Sequence, residues 1–312
     1  MPDVSTTSAC FYLRTPDAHR VHVRLSGPAC GEPWLVLHGG PGSGCSASMA
    51  AWFDPQLHRV VMPDQRGAGR STPAGGLRRN NVGALLADLE QLRRTLGIER
   101  WGVVGGSWGA ALALAYAARY PDAVAALVLR GAFLTGRDDV FALFAPRHGA
   151  RRMLQRVKPQ GERVPDARAG LLTVSRLLQS GTTVQKQDTA GAWQSREQAL
   201  LGLSSPWRSR RQPRRERVAT VNKYRIQAHY LRNRAGLGKP AVLRAARQIA
   251  ARGLPVTVLH GRADPVCRPA NALRLQAAMP DARLAWVPGG HLATGAMRDA
   301  LAAAIRAARW QR

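Results

Sequence analysis

One serine of this sequence lies in a setting typical of a catalytic nucleophile. Ser107 is the third residue of Gly105–Gly109, which reads GGSWG. A short apolar run, Trp101–Val104, precedes this stretch, and an Ala/Leu-rich segment, Ala110–Tyr120, follows it. Strand, tight turn and helix form the context in which a G-x-S-x-G sequence exposes the serine hydroxyl at the end of a sheet. The alternative is a glycine-rich turn without chemistry.

A nucleophilic serine needs a general base and an acid that orients the base. Asp264 lies a few residues beyond the apolar run Val256–Leu259, and His291 follows the run Leu284–Val287. In α/β-hydrolase sheets the acid and then the base follow the serine along the chain, each beyond the carboxyl end of a strand. The sequence therefore predicts a triad of Ser107, Asp264 and His291. Other acids and bases after the serine fit less well by position: Asp281, His229 and His260.

The oxyanion that forms during acyl transfer needs hydrogen-bond donors that are fixed in advance. The backbone N–H of Trp108, directly after the serine, supplies one donor. A second donor is expected from the loop His38–Gly44, which follows the apolar run Trp34–Leu37 and is rich in glycine. We predict the N–H of Gly40 for this role, with a plain Gly/Pro turn as the alternative.

Short apolar runs alternate with segments of helical periodicity over most of the chain. The predicted strands are Trp34–Leu37, Arg59–Met62, Trp101–Val104, Ala125–Leu129, Val256–Leu259 and Leu284–Val287, with a weaker one at His22–Leu25. The predicted helices are Val82–Leu96, Ala110–Tyr120, Asn271–Met279 and Ala296–Trp310. This alternation predicts an α/β-hydrolase fold, with a mostly parallel central sheet and helices on both faces.

The middle of the chain differs in character from its two ends. Short strands disappear between residues 136 and 252, charge rises, and apolar residues recur at helical spacing. We predict a catalytic domain from residues 1–135 and 253–312, with a helical cap at 136–252. Residues 204–217 are expected to form a polar, basic connector within the cap.

The chain of 312 residues is strongly basic, with a formal net charge of +27. Arginines cluster at residues 208–217, without interleaved aromatic side chains that could stack on bases. We expect a solvated basic surface and no specific nucleic-acid partner. The rival hypothesis is a basic protein that binds nucleic acid or another acidic partner and has lost its hydrolytic role.

The cysteine pattern and the distribution of apolar residues bear on the cellular location. The four cysteines are scattered without a CxxC spacing, which favours free thiols over a zinc site: Cys10, Cys30, Cys45 and Cys267. No run is long and apolar enough to span a membrane, and residues 1–11 lack the pattern of a secretory signal. We therefore expect a cytoplasmic protein that needs neither metal nor cofactor. The sequence leaves the oligomeric state open.

The combined motifs resemble the proline iminopeptidase (prolyl aminopeptidase) family of α/β-hydrolase serine peptidases. The matching stretches cover the predicted catalytic domain: Leu37–Cys45, Asp64–Pro73, Gly105–Gly109, Leu127–Gly131, and Gly261, Asp264, Cys267 and Pro269. The resemblance implies Ser107 as nucleophile, His291 as general base and then acid, and Asp264 as the orienting acid. It also implies a helical cap that admits only short peptides.

The resemblance further implies that cap glutamates hold the free amino terminus of the substrate. In the family's Trp-x-x-Trp-Glu pattern this chain keeps Trp193 and Glu197 but has Arg196 in place of the second Trp. In the Glu-Asn-His-Tyr-Phe pattern Gln227 replaces the glutamate and Leu231 replaces the closing Phe. The predicted substrate contacts are Glu197, Gln227, Tyr230, Trp193 and Phe133.

The sequence thus predicts a serine aminopeptidase that releases N-terminal proline, and possibly other residues, from small peptides through an acyl-enzyme. The alternative is an esterase or amidase that uses the same triad with an altered cap specificity. Because Cys267 is close to Asp264 in sequence, bulky thiol reagents are expected to slow the enzyme.

Overall fold

The computed structural model of the chain describes residues 8–142, 144, 153–155, 166–203, 213–233 and 236–308. Eight strands form one sheet in the order β1-β2-β4-β3-β5-β6-β7-β8. The strands are β1 (Ala9–Arg14), β2 (Arg20–Ser26), β3 (Glu32–Leu37), β4 (His58–Pro63), β5 (Trp101–Gly106), β6 (Val124–Arg130), β7 (Val256–Gly261) and β8 (Arg283–Val287). All seven strands predicted from the sequence are present, within a few residues of their expected bounds.

The pairing is mixed at one side of the sheet and parallel over the rest. Strands β3 to β8 pair in parallel, whereas β1 pairs with β2 and β2 with β4 in antiparallel fashion. Strand β1 is missing from the sequence-based prediction. It lies at the edge of the sheet with most of its residues exposed, so it lacks the apolar run that marks the buried strands.

Nine helices longer than one turn surround the sheet in the described ranges. They are α1 (Val82–Thr95), α2 (Trp108–Arg119), α3 (Arg137–Ala142), α4 (Ala167–Ser180), α5 (Thr183–Leu200), α6 (Arg214–Arg232), α7 (Lys239–Ala250), α8 (Pro269–Ala278) and α9 (Ala296–Ala307). The four helices predicted from the sequence correspond to α1, α2, α8 and α9. The expected end of the last one, at Trp310, lies outside the described residues.

Alternate residues of the central strands enter two separate apolar cores. In β3, Leu35 and Leu37 pack into a large core with helices α1 and α2, while Trp34 and Val36 pack on the other face with α9. Burial of one such side chain contributes about 1.5–3 kcal/mol. Both faces of the sheet are therefore covered, which confirms the predicted fold class.

The described part of residues 136–252 is helical, from α3 to α7. Helices α4, α5 and α6 pack against one another, whereas α7 packs against α2 beside the sheet. The division into a catalytic domain and a cap stays a prediction. Within the described ranges, no helix combines the length and the apolar character needed to cross a bilayer.

The expected connector at residues 204–217 is wrong at its carboxyl end. Arg214 to Arg217 form the first turn of α6 rather than an irregular link. Pro213 precedes this turn with a φ of −54°, and Glu216 lies within it, where a carboxylate interacts favourably with the helix dipole. Residues 204–212, with much of the Arg-rich stretch, lie outside the described residues.

Candidate active site

Ser107 occupies a strained turn between β5 and α2. Its φ of 55° and ψ of −118° are unusual for a residue with a side chain. Its N–H donates to the carbonyl of Arg130 at 2.8 Å, which ties the turn to the end of β6. A Cβ on Gly105 or Gly109 would collide with the backbone of Gly109 or Leu37, respectively. The two glycines are therefore steric requirements of this turn.

Asp264 and His291 meet at the same edge of the sheet. The Oδ2 atom of Asp264 lies 2.8 Å from Nδ1 of His291, and Oδ1 accepts the backbone N–H groups of Val266 and Cys267 at 2.8 and 2.9 Å. Burial alone would raise the pKa of the Asp264 carboxyl, but these hydrogen bonds bring the pKa below its ordinary value. The acid is thus held ionised and oriented toward the imidazole.

The Ser107 hydroxyl lies beside a buried thiol. Its Oγ atom is 3.9 Å from Sγ of Cys267, and no hydrogen bond to His291 is formed within the described ranges. Serine–base contacts are often loose in structures without substrate. Burial raises the pKa of the Cys267 thiol well above its usual range, so the sulfur is held protonated.

A cavity of about 240 Å³ connects the elbow to the helices of residues 136–252. Seven of the ten predicted site residues line it: Ser107, His291, Gly40, Phe133, Trp193, Glu197 and Gln227. A larger cavity of about 430 Å³ lies near Arg100 and Pro255, at the amino ends of the strands, and holds none of the predicted residues. Open parallel sheets bind ligands at the carboxyl ends of their strands, so the smaller cavity is the candidate site.

The remaining three predicted residues lie behind the cavity wall. Asp264 supports His291, and the indole of Trp108 is buried beneath the elbow. Tyr230 is buried as well: its hydroxyl donates to Asn80 Oδ1 at 2.7 Å, and its ring centroid lies 5.1 Å from that of Trp108. The structure thus places Tyr230 as a support of the elbow and not at the cavity surface.

Glu197 is already partnered inside the cavity. Its Oε2 atom accepts from Nζ of Lys223 at 2.6 Å and from the hydroxyl of Tyr224 at 2.7 Å. Burial would raise the pKa of Glu197, but Lys223, Tyr224 and the nearby Gln227 amide lower it below its ordinary value. Sequence reasoning missed Lys223, although its position one helical turn before Gln227 on α6 is a usable signal.

Arg130 is a second residue that sequence reasoning missed. It ends β6, and its Nη1 donates to the backbone carbonyl of His291. Burial lowers the pKa of its guanidinium, whose Nε has no partner in the described part of the chain. The same residue therefore contacts both the serine turn and the loop that carries the histidine. Its place in the stretch Leu127–Gly131, at a strand end, could have indicated it.

Gln65 connects the two loops that were predicted to hold the oxyanion. Its Nε2 donates to the carbonyl of His38 at 3.0 Å, and its Oε1 accepts from the indole N–H of Trp108 at 2.9 Å. Its backbone N–H also donates to Nε2 of His38 at 3.0 Å. Both sides of the amide group are thus satisfied. The stretch Asp64–Pro73 matches the family pattern, but no feature of the sequence alone marks Gln65 for this role.

One group in the described ranges has ligand-type atoms close enough to share a metal ion, namely Asp264, Cys267 and His291, within 4.8 Å of one another. Two of its members are hydrogen-bonded to each other, and the third is a protonated thiol. The arrangement fits proton transfer beside a serine. His260, the alternative base near this site, is fully buried. Its two ring nitrogens contact the backbone of Ala132 and of Cys267, which indicates a structural role.

A sheet with a serine elbow and a paired acid and histidine at its carboxyl edge defines an α/β hydrolase. The family model for the α/β hydrolase fold matches residues 33–294. Solved structures with this fold include 2-hydroxy-6-oxo-6-phenylhexa-2,4-dienoate hydrolase from Rhodococcus sp. strain RHA1. It has a TM-score of 0.60 and 18% identity, with 97% of this chain and 99% of the other covered. A carboxylesterase of Nitrososphaera gargenis gives a TM-score of 0.61 at 16% identity, with 96% and 98% covered.

Sequence relatives define the family more narrowly. A proline iminopeptidase of Xylella fastidiosa strain Temecula1 is 37% identical over 288 residues, with 90% of each chain covered. The proline iminopeptidase of Neisseria gonorrhoeae is 35% identical over 304 residues, with 94% of each covered. That of Arabidopsis thaliana is 34% identical over 291 residues, with 90% of this chain and 74% of the other covered. The chain belongs to the proline iminopeptidase family.

Proposed function

We propose that this chain is a serine aminopeptidase that releases N-terminal proline from small peptides through an acyl-enzyme. One observation carries the proposal: a single cavity holds the Ser107 elbow, the Asp264-bound His291 and the carboxylate of Glu197. A nucleophile and an anion that line the same cavity suit a substrate whose reactive carbonyl is close to a free amine. The sequence relatives bear the name of this activity.

In the proposed reaction Ser107 Oγ attacks the scissile carbonyl and His291 accepts the hydroxyl proton. Asp264, ionised and bonded to Nδ1, orients the imidazole and stabilises its protonated form. The N–H groups of Gly40 and Trp108 bind the oxyanion. His291 then gives the proton to the leaving amine, and water hydrolyses the acyl-enzyme by the reverse sequence of proton transfers.

The amino terminus of the substrate binds between Glu197 and Gln227 in this proposal. Lys223 and Tyr224 both bond to Oε2 of Glu197, and the side chain of Gln227 also stabilises the ionised carboxylate. The Oε1 atom of Gln227 is a buried acceptor without a partner in the described ranges, and it lines the same cavity. Two acceptors thus face one ammonium group, and the proline ring packs between the apolar faces of Phe133 and Trp193.

The test is steady-state hydrolysis of a panel of aminoacyl arylamides, with N-acylated proline arylamide and short-chain aryl esters beside it. We expect the proline arylamide to be the best amide substrate and its N-acylated form to be rejected, because the blocked nitrogen carries no charge. The Ser107→Ala variant is the blank. Ester turnover without arylamide turnover would overturn the proposal in favour of the esterase alternative, which the named relatives do not favour.

The same proposal covers the domain organisation, the cellular location and the partners of the chain. The helices within residues 136–252 act as a cap that limits entry to short peptides. All four cysteines are free in the structure, which supports a cytoplasmic location. The substrate is a peptide, and no specific nucleic-acid partner is proposed for the basic surface.

A further inference from the structure

The cavity carries more positive than negative charge on its described lining. Its cationic side chains are Arg130, Arg196 and Lys223, and Glu197 is its only carboxylate. Lys223 is paired with that carboxylate at 2.6 Å, and Arg130 is bound to the backbone carbonyl of His291. Of these three cations, Arg196 is therefore the one whose side chain has no hydrogen-bond acceptor in the described ranges.

The guanidinium of Arg196 has donors that no residue in the described ranges uses. Its Nε and Nη2 atoms are both buried, and neither has a hydrogen-bond partner. Burial lowers the pKa of this group, because loss of solvent disfavours its charged form. Arg196 is half-buried, but two buried donors without acceptors are costly unless a ligand supplies the acceptors.

Glu197 cannot supply that acceptor from the next position of the helix. Consecutive residues of an α-helix point in directions about 100° apart, and residues i and i+1 do not face each other. Glu197 turns instead to α6, where Lys223 and Tyr224 hold it. Arg196 and Glu197 thus line one cavity from the same helix, Glu197 with a partnered carboxylate and Arg196 with two donors that no described residue uses.

We propose that Arg196 binds a carboxylate of the substrate, so that the preferred substrates are prolyl peptides with an anionic group close to the scissile bond. The inference rests on the proposed aminopeptidase function and adds the substrate class to it. Arginine binds carboxylates through two parallel N–H donors, which fits the pair Nε and Nη2. The carboxylate comes either from the chain terminus of a dipeptide or from an acidic side chain after the proline.

Two matched substrate pairs distinguish these sources. Prolyl-glycine against prolyl-glycinamide tests the terminal carboxylate, and prolyl-aspartamide with a free side-chain carboxylate against prolyl-asparaginamide tests the side chain. We expect kcat/KM to be at least about tenfold higher for the acidic member of one pair, as for a charge-assisted hydrogen bond. The pair that shows the difference identifies the source.

The variant Arg196→Gln removes the charge and is expected to abolish the difference within that pair. The ratio is taken between two substrates of the same variant, so a general change in its activity cancels. Arg176→Gln is the matched control, because Arg176 is exposed on α4 and does not line the cavity. This control should keep the full preference. Thermal unfolding of each variant verifies that it is folded.

An acid-to-amide ratio near one in the wild-type enzyme, or a ratio that persists in Arg196→Gln, would overturn the inference. Failure of the wild-type enzyme to cleave proline arylamide contradicts the aminopeptidase function instead. In that case calorimetric binding of the same four dipeptides to Ser107→Ala decides the question. Tighter binding of the acidic member, lost in the Ser107→Ala, Arg196→Gln double variant, supports the carboxylate site independently of turnover.

Discussion

The two walls of the cavity follow the proline iminopeptidase pattern to different degrees. The sheet side keeps the family's motifs, and the residues they contain meet in one site: Ser107 on its elbow, and His291 on Asp264. The helix side departs from the pattern at Arg196 and Gln227. Under the proposed function, the reaction is fixed by backbone turns at strand ends. The choice of substrate then depends on single side chains of α5 and α6, which can change without disturbing those turns.

Loss of the nucleophile should produce the largest effect on the sheet side. We expect Ser107→Ala to lower kcat for proline arylamide by about 10⁴-fold or more, because the acyl-enzyme cannot form. The N-acylated proline arylamide should remain uncleaved, and the thermal unfolding midpoint should change little. Activity of Ser107→Ala within tenfold of wild type would show that the elbow is only structural. It would also contradict the assignment of the reaction to the sheet side of the cavity.

Modification of Cys267 should block the active site on the sheet side of the cavity. Its Sγ atom lies 3.9 Å from Ser107 Oγ, so a bulky adduct would occupy the position of the scissile carbonyl and lower activity by at least about 100-fold. The reaction should be slow, because the thiol is only 1% exposed and protonated. The exposed Cys10 and Cys30 serve as internal controls, since their modification in Cys267→Ala should leave activity intact. Complete labelling of Cys267 with full activity retained would contradict the geometry.

A smaller effect is expected when the link between the oxyanion loops is cut. In Gln65→Leu the hydrogen bonds to the His38 carbonyl and the Trp108 indole are lost, so the two loops are no longer held at a fixed distance. We expect kcat to fall by about tenfold to a hundredfold with KM nearly unchanged. Gln56→Leu, at an exposed glutamine, controls for the change in side chain. A fall in stability without a fall in kcat would reduce Gln65 to a packing role.

The smallest of these effects should appear on the helix side. Glu197→Gln removes the anion proposed to hold the substrate amine and is expected to lower kcat/KM for proline arylamide by about tenfold, chiefly through KM. Since Lys223 would then be left unpaired, Glu197→Gln, Lys223→Met serves as the second variant. Glu216→Gln, exposed on the same helix as Lys223, is the matched control. An unchanged KM in both Glu197 variants would mean that the amine is held elsewhere.

The buried strands and their positions along the chain were predictable, because apolar runs followed by glycine-rich turns mark the carboxyl ends of parallel strands. The triad positions followed from chain order and strand ends in the same way. Strand β1 was not predictable by this route, since an exposed edge strand has no apolar run.

The polar partners of the site were harder to predict than its motifs. Lys223 and Arg130 act through contacts that join elements far apart in the chain, and basic residues are too frequent in this sequence for two of them to stand out. Tyr230 shows the converse case. It lies near the site, but its direction on α6 turns the ring toward Trp108 and away from the cavity.

Arg130 is hydrogen-bonded both to the turn that carries Ser107 and to the loop that carries His291. Its carbonyl accepts the N–H of Ser107, and its guanidinium donates to the carbonyl of His291. In the proposed reaction, a displacement of the end of β6 would therefore move the serine turn and the His291 loop together, because both are bonded to the same residue.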